Sequence, residues 1–357
     1  MNQVTRRDIL RGLVVLGTGA AIPGRTLAAE PQRIDLHHHY VPAAWLAALD
    51  AERKVLPFPG IETFHAWSAE KAIEAMDRGG VARSILSTTT PGIWFGNDAQ
   101  TRRLARTMND SGADLVRTYK GRYGLFGVLP LPNVQASLTE IAYIFDVLKA
   151  DGISVLSSYE TKWLGDPSFE PVWAELDRRK AVVFSHATAP ACCRGFVMPS
   201  IDKTAKSDAA AQTDEETTIE LNTDTARTIV SLIESGTAGR YPSVRFIFSH
   251  AGGTIPALAG RYLKAQATAK ALAAPAPPDS RLDHLRRFYY DTAGSANPVQ
   301  LQAMKMIVSP SQLVFGTDFP WGTPAAIAAG LAGCGFSDAE LAGIDRDNAL
   351  RLLPQFA

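Results

Sequence analysis

A chain of 357 residues, 46% hydrophobic and 20% charged, has the make-up of a folded protein with a sizeable core, in one large domain or two small ones. Its formal net charge is zero, so it lacks the basic field that nucleic acid or an anionic membrane surface would require, and no RRM, KH or zinc-finger pattern occurs. The partner to expect is a small molecule.

The first residues stand apart from the rest. Thr5-Arg6-Arg7-Asp8-Ile9-Leu10-Arg11 precedes an apolar run from Gly12 to Ile22, and small residues close the segment at Leu27-Ala28-Ala29. A basic start, a short apolar stretch and a small-residue end describe a secretory signal, and the paired arginines followed by Ile-Leu make it a twin-arginine signal. The run is too short and glycine-rich for a comfortable membrane span. Residues 1–29 are therefore expected to be removed, leaving 30–357 as one domain in the periplasm or outside the cell, with no stable membrane span. Cys192, Cys193 and Cys334 do not form a disulfide framework.

Beyond the signal, short apolar runs alternate with helix-like segments. The runs are Arg33–Leu36, Val81–Leu86, Tyr123–Val128, Ile153–Leu156, Ala181–Ser185, Val244–Ser249, Phe288–Tyr290 and Gln312–Phe315. Their Val, Ile, Phe and Tyr content is that of buried parallel strands. Asp98–Thr118, Val134–Ala150, Phe169–Arg179 and Asp224–Ser235 read as helices. Eight strands alternating with helices predict an α/β fold, a (β/α)8 barrel. An open doubly wound sheet would want a glycine-rich phosphate turn after the first strand, where this chain has histidines. Ser200–Thr218 reads as a polar loop insertion, and Ala265–Ser280 as a helix end with a linker.

The histidines and one aspartate cluster at strand ends. The first run leads into Asp35-Leu36-His37-His38-His39, the fifth into Ser185-His186, the sixth into His250-Ala251-Gly252-Gly253, and the eighth into Gly316-Thr317-Asp318. In a parallel barrel these ends converge on one face. Period-two alternation directs His37 and His39 to one side with Asp35, and His38 to the other. His37, His39, His186 and Asp318 then form a set of three imidazoles and a carboxylate. Such a set suits zinc and accepts manganese, iron or cobalt. One position would remain for water or substrate. His250 would lie nearby, as a fifth ligand or, better, as a general acid or base. His38, His65 and His284 read as structural or merely exposed.

The order Asp-x-His-x-His, His, His-Ala-Gly-Gly, Gly-Thr-Asp resembles the amidohydrolase superfamily. The likeness extends over most of residues 33–350. It is similar above all to the branch of aminocarboxymuconate-semialdehyde, γ-resorcylate and 6-methylsalicylate decarboxylases. Asp35 to Pro42, Thr90 to Gly96, Lys162 to Trp173, Thr188 to Cys193 and Tyr290 to Ala293 carry the likeness, the last two pointing to the 6-methylsalicylate group. The resemblance implies a metal-dependent hydrolase-type barrel, His37, His39, His186 and Asp318 as metal ligands, and His250 as the catalytic histidine. Asp318 is a second candidate for proton transfer. The fourth strand lacks the lysine of binuclear relatives, which implies one divalent metal. Zinc is expected first, with manganese as the competitor, and a homodimer is the assembly implied.

The function to expect is non-oxidative decarboxylation of a hydroxylated aromatic or similar unsaturated acid. Hydrolysis of a lactone, ester or amide is the alternative, because the same metal could generate hydroxide. A barrel that binds its ligand without turnover is the third reading, and no boundary for a hinge supports it. Trp94, Phe95 and Trp321 could pack on a substrate ring, or simply pack their loops. Arg194 and Arg227 could meet a carboxylate, although Arg227 lies in Asp224-Thr225-Ala226-Arg227, which also reads as the framework of a helix start.

Overall fold

The alternating runs become eight parallel strands in sequential order. They are β1 (Arg33–His39), β2 (Val81–Ser87), β3 (Tyr123–Val128), β4 (Gly152–Leu156), β5 (Val182–His186), β6 (Arg245–Phe248), β7 (Tyr289–Asp291) and β8 (Leu313–Val314). The computed structural model describes residues 32–52, 61–193 and 216–357. The signal segment, Arg194 and most of the Ser200–Thr218 insertion therefore lie outside the described residues. Hydrogen bonds from Leu36 N to Phe315 O (2.9 Å), Asp318 N to His37 O (2.8 Å) and His39 N to Phe319 O (2.9 Å) return the eighth strand to the first and close the barrel.

Each strand is followed by a helix of the outer ring. These are α1 (Ala69–Arg78), α2 (Asp98–Thr118), α3 (Val134–Ala142), α4 (Glu170–Arg178), α5 (Asn222–Glu234), α6 (Ile255–Leu263), α7 (Pro298–Lys305) and α8 (Pro324–Ala332). Several begin at a side chain that accepts from an otherwise unpaired backbone N–H: Asn97 for α2, Asn133 for α3, Asn297 for α7 and Thr323 for α8. The helix expected over Val134–Ala150 is shorter, since a wider π turn takes over at Tyr143–Val147 and nothing in the sequence marks the change. Among the described residues, no helix is long and apolar enough to cross a membrane.

Two apolar layers hold this architecture. The larger lies between strands and helices and includes Trp45, Phe64, Trp173, Phe246 and Tyr290. The smaller fills the barrel interior with Ile34, Leu36, Ile85, Phe126, Val182, Phe184, Ile247 and Val314. It is stoppered at the strand N-termini by Ala349, Leu352 and Leu353, on or beside α9 (Asn348–Leu352). Full burial of each such Leu, Ile or Phe contributes about 1.5–3 kcal/mol.

The alternation expected of β1 breaks. Ile34 and Leu36 point into the barrel, yet His37 also points inward and meets the Phe184 ring at 4.9 Å. The pairing of β1 with β2 shifts between Asp35 and His38, so a bulge reverses the parity there. Asp35 consequently falls on the outer side with His38, not beside His37 and His39 as strict alternation predicts.

Candidate metal centre

The bulge in β1 and the ends of β5 and β8 bring His37, His39, His186 and Asp318 together at the C-terminal mouth of the barrel. Asp318 Oδ1 lies 3.1 Å from His37 Nε2, 2.9 Å from His39 Nε2 and 3.8 Å from His186 Nε2. The His37 and His39 Nε2 atoms are 3.1 Å apart. The three imidazoles are essentially buried, and the Asp318 side chain is 19% exposed.

The opposite edge of each imidazole explains why these atoms converge. His37 Nδ1 faces Asp291 Oδ2 at 2.7 Å, His39 Nδ1 faces Ser87 O at 3.3 Å, and His186 Nδ1 faces Ala187 O at 2.6 Å. Carboxylate and carbonyl oxygens only accept, so Nδ1 must donate in all three rings. Each Nε2 is thereby turned toward the shared space, where it offers a lone pair once its ring is neutral. His186 Nε2 is buried and without a hydrogen-bond partner. Three imidazole acceptors and a carboxylate oxygen around one point fit a divalent cation.

The proton affinities follow from the same geometry. Burial lowers His186 to about 3 and His39 to about 4, so both are neutral at physiological pH. Burial also opposes the charged form of His37, but the carboxylates of Asp291 and Asp318 outweigh it and raise this group to about 10. Burial favours a neutral Asp318, yet the positive charge of His37 beside it holds its carboxyl well below the usual range. Without another cation, the centre keeps a proton on His37.

Asp318 has φ 60°, a left-handed conformation that costs a non-glycine residue roughly 1–3 kcal/mol. Its carbonyl accepts from Trp321 N (2.8 Å) and Gly322 N (3.1 Å), a tight turn that aims the carboxylate inward. His250, at the end of β6, also has positive φ, at 55°. Its ring centroid is 5.2 Å from that of His37 and 5.8 Å from that of His186. His250 Nδ1 donates to Ala293 O (3.0 Å), which leaves Nε2 as its available nitrogen, and the side chain is only half-buried.

Asp291 joins the two parts of the site, a role that the segment Tyr290 to Ala293 did not reveal in the sequence. Oδ2 accepts from His37 Nδ1 (2.7 Å), while Oδ1 accepts from His250 N (2.9 Å) and Ala293 N (3.0 Å). His37, His250 and Asp291 make a second grouping with metal-compatible spacing, sharing His37 with the first. The available signal was its place: a carboxylate just past Phe288–Tyr290, at the catalytic end of a buried strand. Asp35 supports the site from behind. It accepts from Thr317 Oγ1 (2.6 Å), Thr317 N (3.1 Å) and His38 Nδ1 (3.0 Å), pinning β8 to β1. His38 stacks on Phe319 at 4.8 Å, while exposed His65 pairs with Asp50. His284 contacts Arg287 away from the centre.

The substrate-binding candidates are less convergent. Trp321 is 38% exposed and sets its edge on Phe64 at 5.2 Å. Trp94 and Phe95 are half-buried, with Phe95 against the outer core. Arg227 Nη1 lies 3.9 Å from Glu220. Asp224, in the same segment, is buried and accepts from Ser157, Ser158 and Trp163, which ties the start of α5 to the end of β4. Interior positions of β4 hold Ser154 and Leu156, and the strand has no lysine. Cys192, Cys193 and Cys334 are free thiols.

Known proteins share this framework. Decarboxylase macB of Penicillium terrestre is 34% identical over 301 residues, covering 81% of this chain and 84% of its own. The 6-methylsalicylic acid decarboxylase acuB of Aspergillus aculeatus is 33% identical over 348 residues, covering 90% and 96%. Among solved structures, a dihydroxybenzoic acid decarboxylase from Polaromonas sp. JS666 superimposes with a TM-score of 0.73 over 91% of this chain and 98% of that one, at 21% identity. That structure contains manganese and the inhibitor 2-nitroresorcinol. The amidohydrolase family model matches residues 34–355, nearly all of the described barrel, and the chain belongs to that family.

Proposed function

We propose that this chain is a metal-dependent, non-oxidative decarboxylase of a hydroxylated aromatic acid of the 6-methylsalicylate kind. The observation that carries the reading is the convergence of three imidazole lone pairs and the Asp318 carboxylate beside a half-buried His250. The chain's likeness to proteins named decarboxylases supports it.

His37, His39, His186 and Asp318 would hold one divalent ion. Zinc suits three imidazoles and a carboxylate, and manganese, present in the Polaromonas structure, is the competitor. When bound, the ion supplies a Lewis acid that polarises the oxygen substituents of the substrate. His250 holds a proton at Nε2 for the ring carbon that bears the carboxyl group. Protonation of that carbon and cleavage of its bond to the carboxylate release carbon dioxide, and the bonding pair stays with the ring. Product release as a phenol and carbon dioxide requires no oxidant. Trp321, beside the turn that carries Asp318, offers an aromatic face for the substrate ring.

Export belongs to the same proposal, on the strength of Arg6-Arg7 and the apolar run after them. Replacing both arginines by lysine should retain the protein in the cytoplasm on cell fractionation. For the reaction, the metal-loaded protein is given 6-methylsalicylate, 2,6-dihydroxybenzoate and a panel of lactones. Carbon dioxide release from a hydroxybenzoate is the expected result. Turnover confined to lactones would replace the decarboxylase reading with a hydrolase.

A further inference from the structure

The turn that presents His250 has an unusual backbone. Four consecutive residues have positive φ: His250 (55°), Ala251 (51°), Gly252 (74°) and Gly253 (61°). Glycine suits such angles, but His250 and Ala251 carry a Cβ that crowds the carbonyl there. The turn must therefore be held by its surroundings. Close packing supplies part of the restraint, because a Cβ at Gly253 would lie 2.0 Å from Asn222 O. Hydrogen bonds supply the rest. Asp291 accepts from His250 N, and Ala293 O accepts from His250 Nδ1.

The carbonyl side of the turn is held from α7. Gln300 Nε2 donates to His250 O (2.9 Å) and Gly253 O (3.2 Å), bridging both ends of the left-handed stretch with one amide. The Gln300 backbone is itself fixed at the helix start, where its N–H donates to Asn297 Oδ1 at 3.1 Å. Both amide protons are spent on these carbonyls, so the side chain acts on the turn rather than on a ligand.

We infer that Gln300 is a positioning residue, holding the His250–Gly253 turn and through it the His250 imidazole in the orientation that proton transfer requires. This rests on the role proposed above for His250. The side chain need not touch substrate. Its effect on turnover passes through the placement of the imidazole, where displacement by about 1 Å can cost a hundredfold in rate.

The test compares the full chain, metal-loaded, with Gln300→Met, which keeps the length and removes both donors, and with Gln300→Ala. Each is assayed for decarboxylation in the His250 and the His250→Ala backgrounds. With His250 present, kcat should fall by about tenfold to a hundredfold, with KM and metal content little changed. In the His250→Ala background the same substitution should cost less than about twofold, because the group it positions is gone. A structural role alone would lower kcat equally in both backgrounds and would overturn the inference. A second readout does not depend on the reaction. The amides of Gly252 and Gly253, bonded to Ser249 O and His250 O, should exchange with deuterium at least about tenfold faster in Gln300→Met. Unchanged exchange in a folded variant would also overturn it. If the unmodified protein releases no carbon dioxide from any hydroxybenzoate, the reaction assignment fails, and the exchange rates still decide whether Gln300 holds the turn.

Discussion

The two ends of the barrel interior use one set of strands for opposite purposes. Toward the strand N-termini, Ile34, Leu36, Ile85, Phe126 and Val314 pack against Leu352 and Leu353 with no buried charge among them. Toward the C-termini, the same strands carry His37, His39, His186, Asp291 and Asp318, and the backbone turns left-handed at His250 and Asp318. The lower end stabilises the fold by removing apolar surface from water. The upper end places acceptors opposite one another and spends conformational energy to do so. Damage at the two ends should therefore separate into two kinds of loss.

The largest effect is expected at the upper end. His186→Ala removes one of four converging donors, whose ring lies against those of His37, His39, Phe184 and His250. Decarboxylation should drop by more than about a thousandfold, since both the ion and its geometry are lost, and elemental analysis should find less than half the metal of the unmodified protein. The unfolding midpoint of the metal-free variant should stay near that of the metal-free parent. A fully metallated, active variant would break the assignment of the centre.

At the lower end, Leu352→Ala should act the other way. Leu352 is fully buried against the interior layer, and its truncation leaves a cavity costing about 2–5 kcal/mol. Denaturant unfolding should report that loss, while kcat per folded molecule stays within about twofold because the cavity is far from the converging donors. A large fall in kcat with unchanged stability would show that the two ends are coupled.

The comparison also explains what the sequence could reveal. The lower end is made of Val, Ile, Leu and Phe in short runs, and buried parallel strands of that composition declare themselves, so strands at Val81, Tyr123 and Val182 are legible. His37, His39, His186 and Asp318 are legible because strand ends in a parallel barrel share a face. The bulge after Asp35 is not, because it is set by the pairing of β1 with β2, and it sends Asp35 to His38 and Thr317 instead. The role of Asp291 was hidden for a related reason. Its work is to orient His37 and the His250 backbone, contacts 254 and 41 residues away along the chain that only the closed barrel creates. The left-handed backbone at His250 and Asp318 is tertiary in the same way.

A smaller effect sharpens the electrostatic side of the comparison. In the metal-free protein His37 is raised to about 10, whereas His39 and His186 are lowered to about 4 and 3 and Asp318 is ionised. At pH 7 to 8 only His37 then carries a proton that an incoming cation must displace. Metal uptake in weakly buffered solution should release about one proton per ion. The sign follows: affinity should rise by roughly tenfold per pH unit as pH climbs from 7 toward 10, and level off once His37 is neutral without the ion. Release of no proton at pH 7.5, read with an indicator dye as about zero per ion, would mean that the buried positive charge is not on His37.

The smallest expected effect tests where the functional end gives way to ordinary packing. Trp321 hydrogen-bonds through its backbone to Asp318 O, and its ring leans on Phe64 with more than a third of the residue exposed. If the exposed face receives the substrate ring, Trp321→Ala should raise KM by about threefold to tenfold, the equivalent of roughly 1 kcal/mol of aromatic contact, with kcat and metal content nearly constant. Trp321→Phe keeps a ring at that place and should restore most of the affinity. If the indole serves only to cover Phe64, the alanine variant should instead lower the unfolding midpoint and leave KM alone. The two outcomes differ in which quantity moves, so one pair of variants decides whether the aromatic rim belongs to the site or to the outer core.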